Sequence, residues 1–231
     1  MTSSETSCQL ERPDRSVSHE LKTPLTSIRG YAEALEEGAV ARVDGARVIT
    51  SEASRLERLV ADLLDLARLG RAGFSVAAEP VDLSTIAEQV TARHRPRAQE
   101  LGVELTTSST GGAPAIGDED RILQAVSNLT ENALRLTPSD GRVTITVAPG
   151  TIAVRDTGPG LADEDIPRAF ERFYLHDRYR SERAVGSGLG LAIVKELAGA
   201  MGGSVRAENA LGGGAQFTVR LPVPDAGATD R

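Results

Sequence analysis

Residues 49–67, ITSEASRLERLVADLLDLA, carry the clearest periodicity in the chain. Their apolar positions alternate in spacings of four and three, like the a and d positions of a heptad: Ile49, Ala53, Leu56, Val60, Leu63 and Ala67. We predict a helix here, preceded by another over 14–37, with a turn at Gly38. Because one hairpin cannot bury this seam by itself, two copies are expected to pair into a four-helix bundle. Packing of the seam on the chain's own second half is the alternative.

The remainder of the chain predicts a different architecture, in which helices and strands are mixed. Helices are expected over 83–101, 119–136 and 189–201, and antiparallel-looking strands over 103–108, 114–117, 142–148, 151–156, 203–209 and 215–221. This order favours an α+β sandwich, so the predicted fold class is a multi-domain α plus α/β protein. The predicted boundaries are a disordered tail at 1–13, a helical hairpin at 14–71, a linker at 72–80, a second domain at 81–222 and a disordered tail at 223–231.

Composition excludes several classes of protein. The net charge of −7 over 231 residues argues against direct nucleic-acid binding, which requires a basic surface. The single cysteine, Cys8, has no internal partner for a disulfide, which fits a reducing compartment. No apolar run approaches the roughly 20 residues that cross a bilayer. We therefore expect the chain as given to be cytoplasmic, and a membrane-anchored parent with a part upstream of Met1 stays open.

Residues 16–28, SVSHELKTPLTSI, place a histidine one turn into the first helix, on a charged side. A neutral imidazole nitrogen at His19 can attack a phosphorus centre, and the adjacent Glu20 carboxylate can hold the other ring N–H. Pro24 lacks an amide hydrogen and crowds the carbonyl four residues back, so a helix bend is expected beside the histidine. A solvated surface histidine is the alternative for this residue taken alone.

Residues 128–135, NLTENALR, carry polar side chains at spacings of four and three. Asn128, Asn132 and Arg135 therefore share one face of a helix. Amide oxygens there can hold Mg²⁺, which prefers oxygen ligands, and the arginine can contact phosphates. A polar solvated face explains this segment equally well when it is taken alone.

Two glycine-containing segments follow. Asp156, Gly158 and Gly160 come directly after an apolar strand, where the carboxylate can accept a hydrogen bond from an exocyclic amine such as that of adenine. A plain turn is the alternative reading of this first segment. The second segment opens the helix over 189–201, where backbone amides suit phosphate oxygens: Gly186, Gly188 and Gly190.

The stretch between these segments, 161–185, is predicted to be irregular and to act as a lid. It contains aromatic side chains, Phe170, Phe173 and Tyr174, followed by a charged run from His176 to Arg183. Aromatic anchors followed by charges are what a loop that closes over a triphosphate needs. We interpret His94 and His176 as ordinary polar-surface residues.

Taken together and in this order, the segments resemble the sensor histidine kinases of two-component systems, over roughly residues 14–222. The string around His19 is similar to their phosphoacceptor motif, and the later segments are similar to the N, G1, F and G2 boxes of their ATP-binding domain. That domain belongs to the superfamily of gyrase-like and Hsp90-like (GHKL, or Bergerat-type) ATPases. The resemblance implies ATP and Mg²⁺ as cofactors, and homodimerisation through residues 14–71.

The resemblance also implies roles for individual residues. His19 is phosphorylated, Glu20 is its acid/base partner, and Thr23 positions water when the protein removes phosphate from its partner. In the second domain, Asn132 ligates Mg²⁺ and Asp156 recognises adenine. The remaining expected ATP-binding residues are Asn128, Arg135, Gly158, Gly160, Phe173, Gly186, Gly188 and Gly190. The phosphate is then expected to pass from His19 to an aspartate of a response regulator.

The chain departs from the family pattern at Leu136, where many relatives have a tyrosine, and at Ala215, where many have a threonine. Weaker nucleotide binding is the expected consequence. A nucleotide-dependent scaffold and an ATP-driven clamp are the alternatives. The clamp needs a general base near Asn132, and the only carboxylate between Asn128 and Arg135 is Glu131, about 100° around the helix from Asn132.

Overall fold

A computed structural model describes residues 14–70, 75–109, 111–179 and 186–224. The chain divides into two compact units, Met1–Leu63 and Leu64–Arg231, and each is described by itself. The predicted tail at 1–13, the start of the predicted linker, residues 180–185 of the predicted lid and most of the tail at 223–231 lie outside the described residues. No helix in the described part of the chain is both long enough and apolar enough to cross a membrane.

The first unit contains a helical hairpin, as predicted. Helix α1 runs over Asp14–Glu36 and helix α2 over Arg42–Leu69, so the boundary between the two units falls inside α2. Gly38 ends α1 with a φ of 71°, in the left-handed conformation that glycine adopts without steric cost. The helices approach closely near the turn, because a Cβ at Gly45 would lie 2.7 Å from the Leu35 side chain. Pro24 lies inside α1, which continues through it.

Among the described residues, none of the six predicted seam positions on α2 is buried. Val60 is 43 % exposed and Ala67 is also exposed, whereas the other four seam residues are partly exposed. Leu25, Val43 and Leu64 add further exposed apolar surface on the two helices. An exposed apolar stripe of this kind is typical of a surface that packs against another protein chain.

The second unit is built on a five-stranded sheet with helices packed against it. Its elements are β1 Glu79–Asp82, α3 Leu83–Glu100, β2 Glu104–Ser109, β3 Pro114–Gly117, α4 Glu119–Leu136, β4 Arg142–Ala148, β5 Thr151–Asp156, a 3₁₀ turn Ile166–Arg168, α5 Tyr174–Tyr179, α6 Gly190–Ala200, β6 Ser204–Asn209 and β7 Ala215–Arg220. The strand order in the sheet is β2-β4-β5-β7-β6, and β1 pairs with β3 in a separate two-stranded sheet.

The structure corrects three details of the predicted sandwich. Strands β2 and β4 are parallel rather than antiparallel, because the chain passes through β3 and α4 between them. Strand β1 includes Glu79 and Pro80, which the sequence placed in a linker. The predicted irregular stretch contains the 3₁₀ turn and α5. The other predicted helices and strands of this unit are confirmed to within two residues at each end.

The core of the second unit lies between the sheet and α3, α4 and α6. Alternate residues of β4 point into it, Val143, Ile145 and Val147, as the two-residue period of a strand requires. In β5 the same alternation buries Ile152 and Val154 and then reaches Asp156. The strand therefore carries a carboxylate in a row of otherwise apolar inward positions.

Candidate active site

The phosphoacceptor segment places His19 at the surface of α1 with its carboxylate neighbour alongside. The His19 Nδ1 atom lies 3.5 Å from Glu20 Oε1, and the histidine side chain is 66 % exposed. Because Nδ1 faces the carboxylate, Nε2 is the nitrogen that a neutral ring presents as a nucleophile. The Thr23 hydroxyl, one turn along, donates a hydrogen bond of 3.1 Å to the His19 backbone carbonyl. The structure thus brings the three predicted residues of this segment together.

Sequence reasoning missed Arg55, which extends from α2 towards the same carboxylate. Its Nη2 atom lies 3.4 Å from Glu20 Oε2, and its Nη1 atom lies 3.9 Å from Glu52 Oε2. Arg55 and Glu20 are 35 positions apart, and no local pattern marks such a pair. The arginine holds the Glu20 carboxylate from the side opposite His19 and adds positive charge beside it.

Asp156 is held by backbone groups on two different segments. It is 2 % exposed, and its Oδ1 atom accepts hydrogen bonds from the N–H groups of Gly158, at 2.8 Å, and Ala215, at 3.2 Å. Ala215, where many relatives have a threonine, therefore contributes to this site through its backbone. A buried carboxylate needs such donors, since burying it without hydrogen bonds is costly. The two bonds fix its orientation.

The glycines around Asp156 are required by close contacts. A Cβ at Gly158 would lie 2.8 Å from the Leu136 backbone oxygen, and a Cβ at Gly214 would lie 1.9 Å from the Asp156 backbone oxygen. Gly160 has a φ of 70° and lies beside Asn209, whose side chain bonds both the N–H and the C=O of Leu161 at 2.9 and 2.8 Å. Asn209, which the sequence did not single out, thereby ties this loop to β6.

Helix α4 brings its predicted polar face against the later glycine segment. The Asn128 amide donates to the Gly190 carbonyl at 3.5 Å, and a Cβ at Gly186 would lie 2.5 Å from Arg135 Nη1. The Arg135 guanidinium also donates to Asn132 Oδ1. Two segments separated by some 50 residues thus meet, as the resemblance implied.

The segment before α5 is joined to the same glycines. The Phe173 N–H donates to the Gly188 carbonyl at 2.9 Å, and Phe173 is a buried non-glycine residue with a φ of 60°. Gly188 has a φ of 77°, and a Cβ there would lie 2.8 Å from His176 Cβ. Phe170 packs its ring perpendicular to Phe217, with centroids 5.9 Å apart. In this structure Phe173 anchors the chain next to the glycine segment.

A second buried carboxylate, Asp165, lies in the same stretch and was not predicted. Tyr174 donates its hydroxyl to Asp165 Oδ1 at 2.7 Å, and Tyr179 donates its hydroxyl to Oδ2. The hydrogen bond from Tyr179, more than any other interaction, lowers the pKa of Asp165 below its ordinary value. The bond to Asp165 raises the pKa of the Tyr174 phenol. Both shifts favour an ionised Asp165 beside a protonated Tyr174 phenol.

The structure corrects the interpretation of His94 and His176 as polar-surface residues, because His176 is buried on α5 and His94 is partly buried on α3. The His94 Nε2 atom is buried and has no hydrogen-bond partner among the residues that the structure describes. Burial lowers the pKa of this imidazole, and the charge of the nearby Glu131 opposes that shift. Glu131 itself is exposed on α4.

Comparison with known proteins identifies the family. Residues 15–72 match the His Kinase A (phospho-acceptor) domain, and residues 117–225 match the histidine kinase-, DNA gyrase B-, and HSP90-like ATPase family. The solved structure of the mycobacterial sensor histidine kinase MprB is 32 % identical to this chain, with a TM-score of 0.54 over 64 % of this chain and 98 % of that one. The chain belongs to the sensor histidine kinases.

Other relatives agree with this assignment. The sensor protein SrrB of Staphylococcus aureus (strain MRSA252) is 34 % identical to this histidine kinase in an alignment of 217 residues, which covers 90 % of this chain and 37 % of SrrB. The chain thus spans little more than a third of that relative. The histidine kinase ThkA, solved in complex with the response regulator protein TrrA, shares the fold with a TM-score of 0.75 at 20 % identity, over 90 % of this chain and 60 % of ThkA. The predicted family and the predicted order, a helical hairpin followed by an α/β sheet domain, are confirmed.

Proposed function

We propose that this histidine kinase transfers the γ-phosphoryl group of ATP to its own His19 and then passes it to an aspartate of a response regulator. The observation that carries the proposal is the exposed His19 ring, with Nδ1 3.5 Å from the Glu20 carboxylate. An exposed ring is open to an incoming phosphoryl group. A carboxylate at Nδ1 leaves Nε2 as the attacking atom.

The proposed phosphoryl transfer uses the placement of Glu20 beside the His19 ring. In the proposed step Glu20 accepts a hydrogen bond from Nδ1–H, so the lone pair of neutral Nε2 remains available and forms the bond to phosphorus as the bond to the ADP oxygen breaks. Positive charge that develops on the imidazole is stabilised by the Glu20 carboxylate. Arg55 keeps this carboxylate oriented by holding its second oxygen.

The second unit is proposed to bind the nucleotide. Asp156, fixed by the N–H groups of Gly158 and Ala215, accepts a hydrogen bond from the adenine amine. Backbone amides of the segment from Gly186 to Gly190 receive the phosphates at the start of α6, with Arg135 beside them. This pocket is assembled without the tyrosine that many relatives have at position 136.

The residues on α4 fit a magnesium ion. Asn128 and Asn132 offer amide oxygens, a ligand type that Mg²⁺ accepts together with water and phosphate oxygens. When bound, the ion would neutralise charge on the transferring phosphoryl group.

Partner and assembly are also proposals. ThkA, which shares the fold, was solved with a response regulator, and we propose that a receiver domain is the phosphate acceptor here. Homodimerisation through residues 14–71 is supported by the exposed seam on α2. Thr23, beside His19, is proposed to position water for removal of phosphate from the regulator.

The test is incubation of the chain with γ-labelled ATP and Mg²⁺, comparing the native protein with His19→Ala and His94→Ala. Label that is acid-labile, alkali-stable, absent from His19→Ala and present on His94→Ala is the expected result. Label that persists in His19→Ala would contradict the proposed nucleophile. ATP binding without any label would favour a nucleotide-dependent scaffold, and ATP hydrolysis without label would favour a clamp that uses Glu131.

A further inference from the structure

Helix α5 depends on contacts from outside itself. Its six residues, Tyr174–Tyr179, are too few for a helix to be stable alone in water. Three of its side chains converge on Asp165, because Arg178 Nε lies 3.8 Å from the carboxylate that already accepts from Tyr174 and Tyr179. Asp165 is 0 % exposed. One buried carboxylate therefore anchors both ends of this short helix.

The same helix is joined to the glycine-rich segment at its other side. The residue that precedes α5, Phe173, donates its N–H to the Gly188 carbonyl at 2.9 Å. Gly188 lies so close to His176 that a Cβ would be 2.8 Å from His176 Cβ. A displacement of α5 must therefore displace Gly188, or break the bond from Phe173.

We propose that Asp165 is a positioning residue for nucleotide binding, which holds the segment from Gly186 to Gly190 in place through α5. This inference rests on the proposed function, because it assigns that segment to the phosphates of ATP. Asp165 touches no reacting atom and acts only through the helix.

The chemistry of the cluster explains why a carboxylate is needed. Two phenol hydroxyls donate to its two oxygens, and the Tyr179 oxygen in turn accepts from the Ala162 N–H at 3.3 Å. An asparagine would present an N–H₂ group to one of the phenols, so one donor would lose its acceptor in a buried place. Hydrogen bonds to a charged acceptor are also roughly twice as strong as neutral ones.

The neighbouring Glu164 provides a matched control. It pairs with Arg178 at 3.2 Å from the solvent side, and its side chain is exposed. Glu164→Gln therefore perturbs the same arginine but leaves the two phenols and Asp165 intact. Exposed pairs of this kind contribute little to stability.

The experiment compares the full chain with Asp165→Asn and Glu164→Gln by two methods. The initial rate of autophosphorylation at increasing ATP concentration gives an apparent KM for ATP and a maximal rate constant, kcat, and hydrogen exchange is followed at residues 186–190 without nucleotide. For Asp165→Asn we expect the KM for ATP to rise about tenfold with a smaller change in kcat, and exchange at 186–190 to accelerate. Glu164→Gln should match the native chain. A kcat that falls with KM unchanged, or unchanged exchange at 186–190, would overturn the inference.

A second variant and a binding measurement cover the cases in which Asp165→Asn does not fold or the native chain takes up no label. If Asp165→Asn does not fold, Tyr179→Phe removes one donor from the cluster and should show the same shifts to a smaller extent. If the native chain takes up no label, the proposed function fails, and the Kd for a fluorescent ATP analogue replaces KM. A native Kd in Asp165→Asn together with native exchange would then reject the positioning role by itself.

Discussion

His19, Glu20 and Thr23 lie within five residues of one helix, whereas Asp156, Asn132 and Gly188 come from three separate segments of the second unit. One turn of α1 is enough to bring the first group together. The second group comes together only when the sheet, α4 and the chain before α6 are all in place. Asp156 alone is held by the N–H groups of Gly158 and Ala215, which lie more than 50 residues apart in sequence. We therefore expect substitutions in the local site to affect the fold less than substitutions at the buried positions of the distributed site.

The hairpin and the second unit also differ in how much apolar side-chain surface they leave exposed. The second unit buries residues such as Ile145, Leu129 and Ile193 completely or almost so. The hairpin leaves Val60, Leu25 and Leu64 exposed. We infer that the second unit supplies its own core, whereas the hairpin gains part of its stability from a partner surface.

The largest expected effect is at the turn between β6 and β7, where fold and site depend on the same atoms. Gly214→Ala would place a Cβ 1.9 Å from the Asp156 backbone oxygen, and we expect a loss of roughly 3 kcal/mol or more in the free energy of unfolding. Binding of a fluorescent ATP analogue should be lost with it. Thermal unfolding followed by circular dichroism measures the first effect, and a fluorescence titration measures the second.

Gly213→Ala is the matched control for this prediction. Gly213 also has a positive φ, 103° against 85° for Gly214, but a Cβ there would meet nothing within 4 Å. Only the conformational cost of about 1–2 kcal/mol is expected. Equal destabilisation by the two substitutions would mean that the contact with Asp156 contributes nothing.

In the hairpin, a substitution should change chemistry without changing the fold. Glu20→Gln removes the charge beside His19, and we expect autophosphorylation to slow by about a hundredfold, as is typical when an acid/base group is lost. The melting temperature is expected to fall as well, but less than in Gly214→Ala, because Glu20 is only 3 % exposed and its charge pairs with Arg55. Glu33→Gln, on the same helix and 64 % exposed, is the control. Similar slowing in both variants would show that Glu20 has no special role.

The exposed seam should matter for assembly more than for folding. Val60→Glu places a charge on the predicted dimer surface, and we expect the dimer to weaken at least about tenfold because that charge must be desolvated. Size-exclusion chromatography with light scattering measures the change. Leu211→Glu, at a position 94 % exposed in the second unit, should leave the assembly unchanged. A native dimer in Val60→Glu would place the interface elsewhere.

The smallest expected effect is a pH dependence of the free energy of unfolding, caused by one residue of the second unit. Backbone N–H groups of Ser84 and Ala113 lower the pKa of Asp82, at the start of α3, below its ordinary 3.8. A lowered pKa stabilises the fold above pH about 4, and this contribution is lost as the pH falls through the native value. Denaturant unfolding between pH about 5 and 3 should show a weaker pH dependence in Asp82→Asn. An unchanged slope would contradict the role of these two bonds.

The sequence predicts most of the fold because its patterns are local. Helix α4 and strands β4 and β5 have the predicted bounds, since their apolar residues recur with the periods of a helix and a strand. Strand β1 was missed because it has four residues, contains Pro80 and is largely exposed, so it carries no alternation. The parallel pairing of β2 with β4 has no signature within either strand.

The candidate site contains residues that a local motif marks and residues that only long-range contacts bring in. Motif residues such as Asp156 and Asn128 could be predicted because their neighbours in sequence mark them. Arg55 and Asp165 were not found, because each acts on a side chain or a helix that only the folded chain brings near it. Long-range pairs of this kind leave no periodic or compositional trace.

Strand β3 lies beside both Pro80, in the first strand of the second unit, and Pro222, just after its last strand. Ile116 is paired with Pro80 of β1, and its N–H donates to the Pro222 carbonyl at 2.8 Å. Since neighbouring strands lie about 5 Å apart, Pro80 and Pro222 are separated by roughly 10 Å. A few glycine and serine residues would bridge that gap, so the segment 80–222 meets the geometric condition for circular permutation, with new termini opened at an exposed turn.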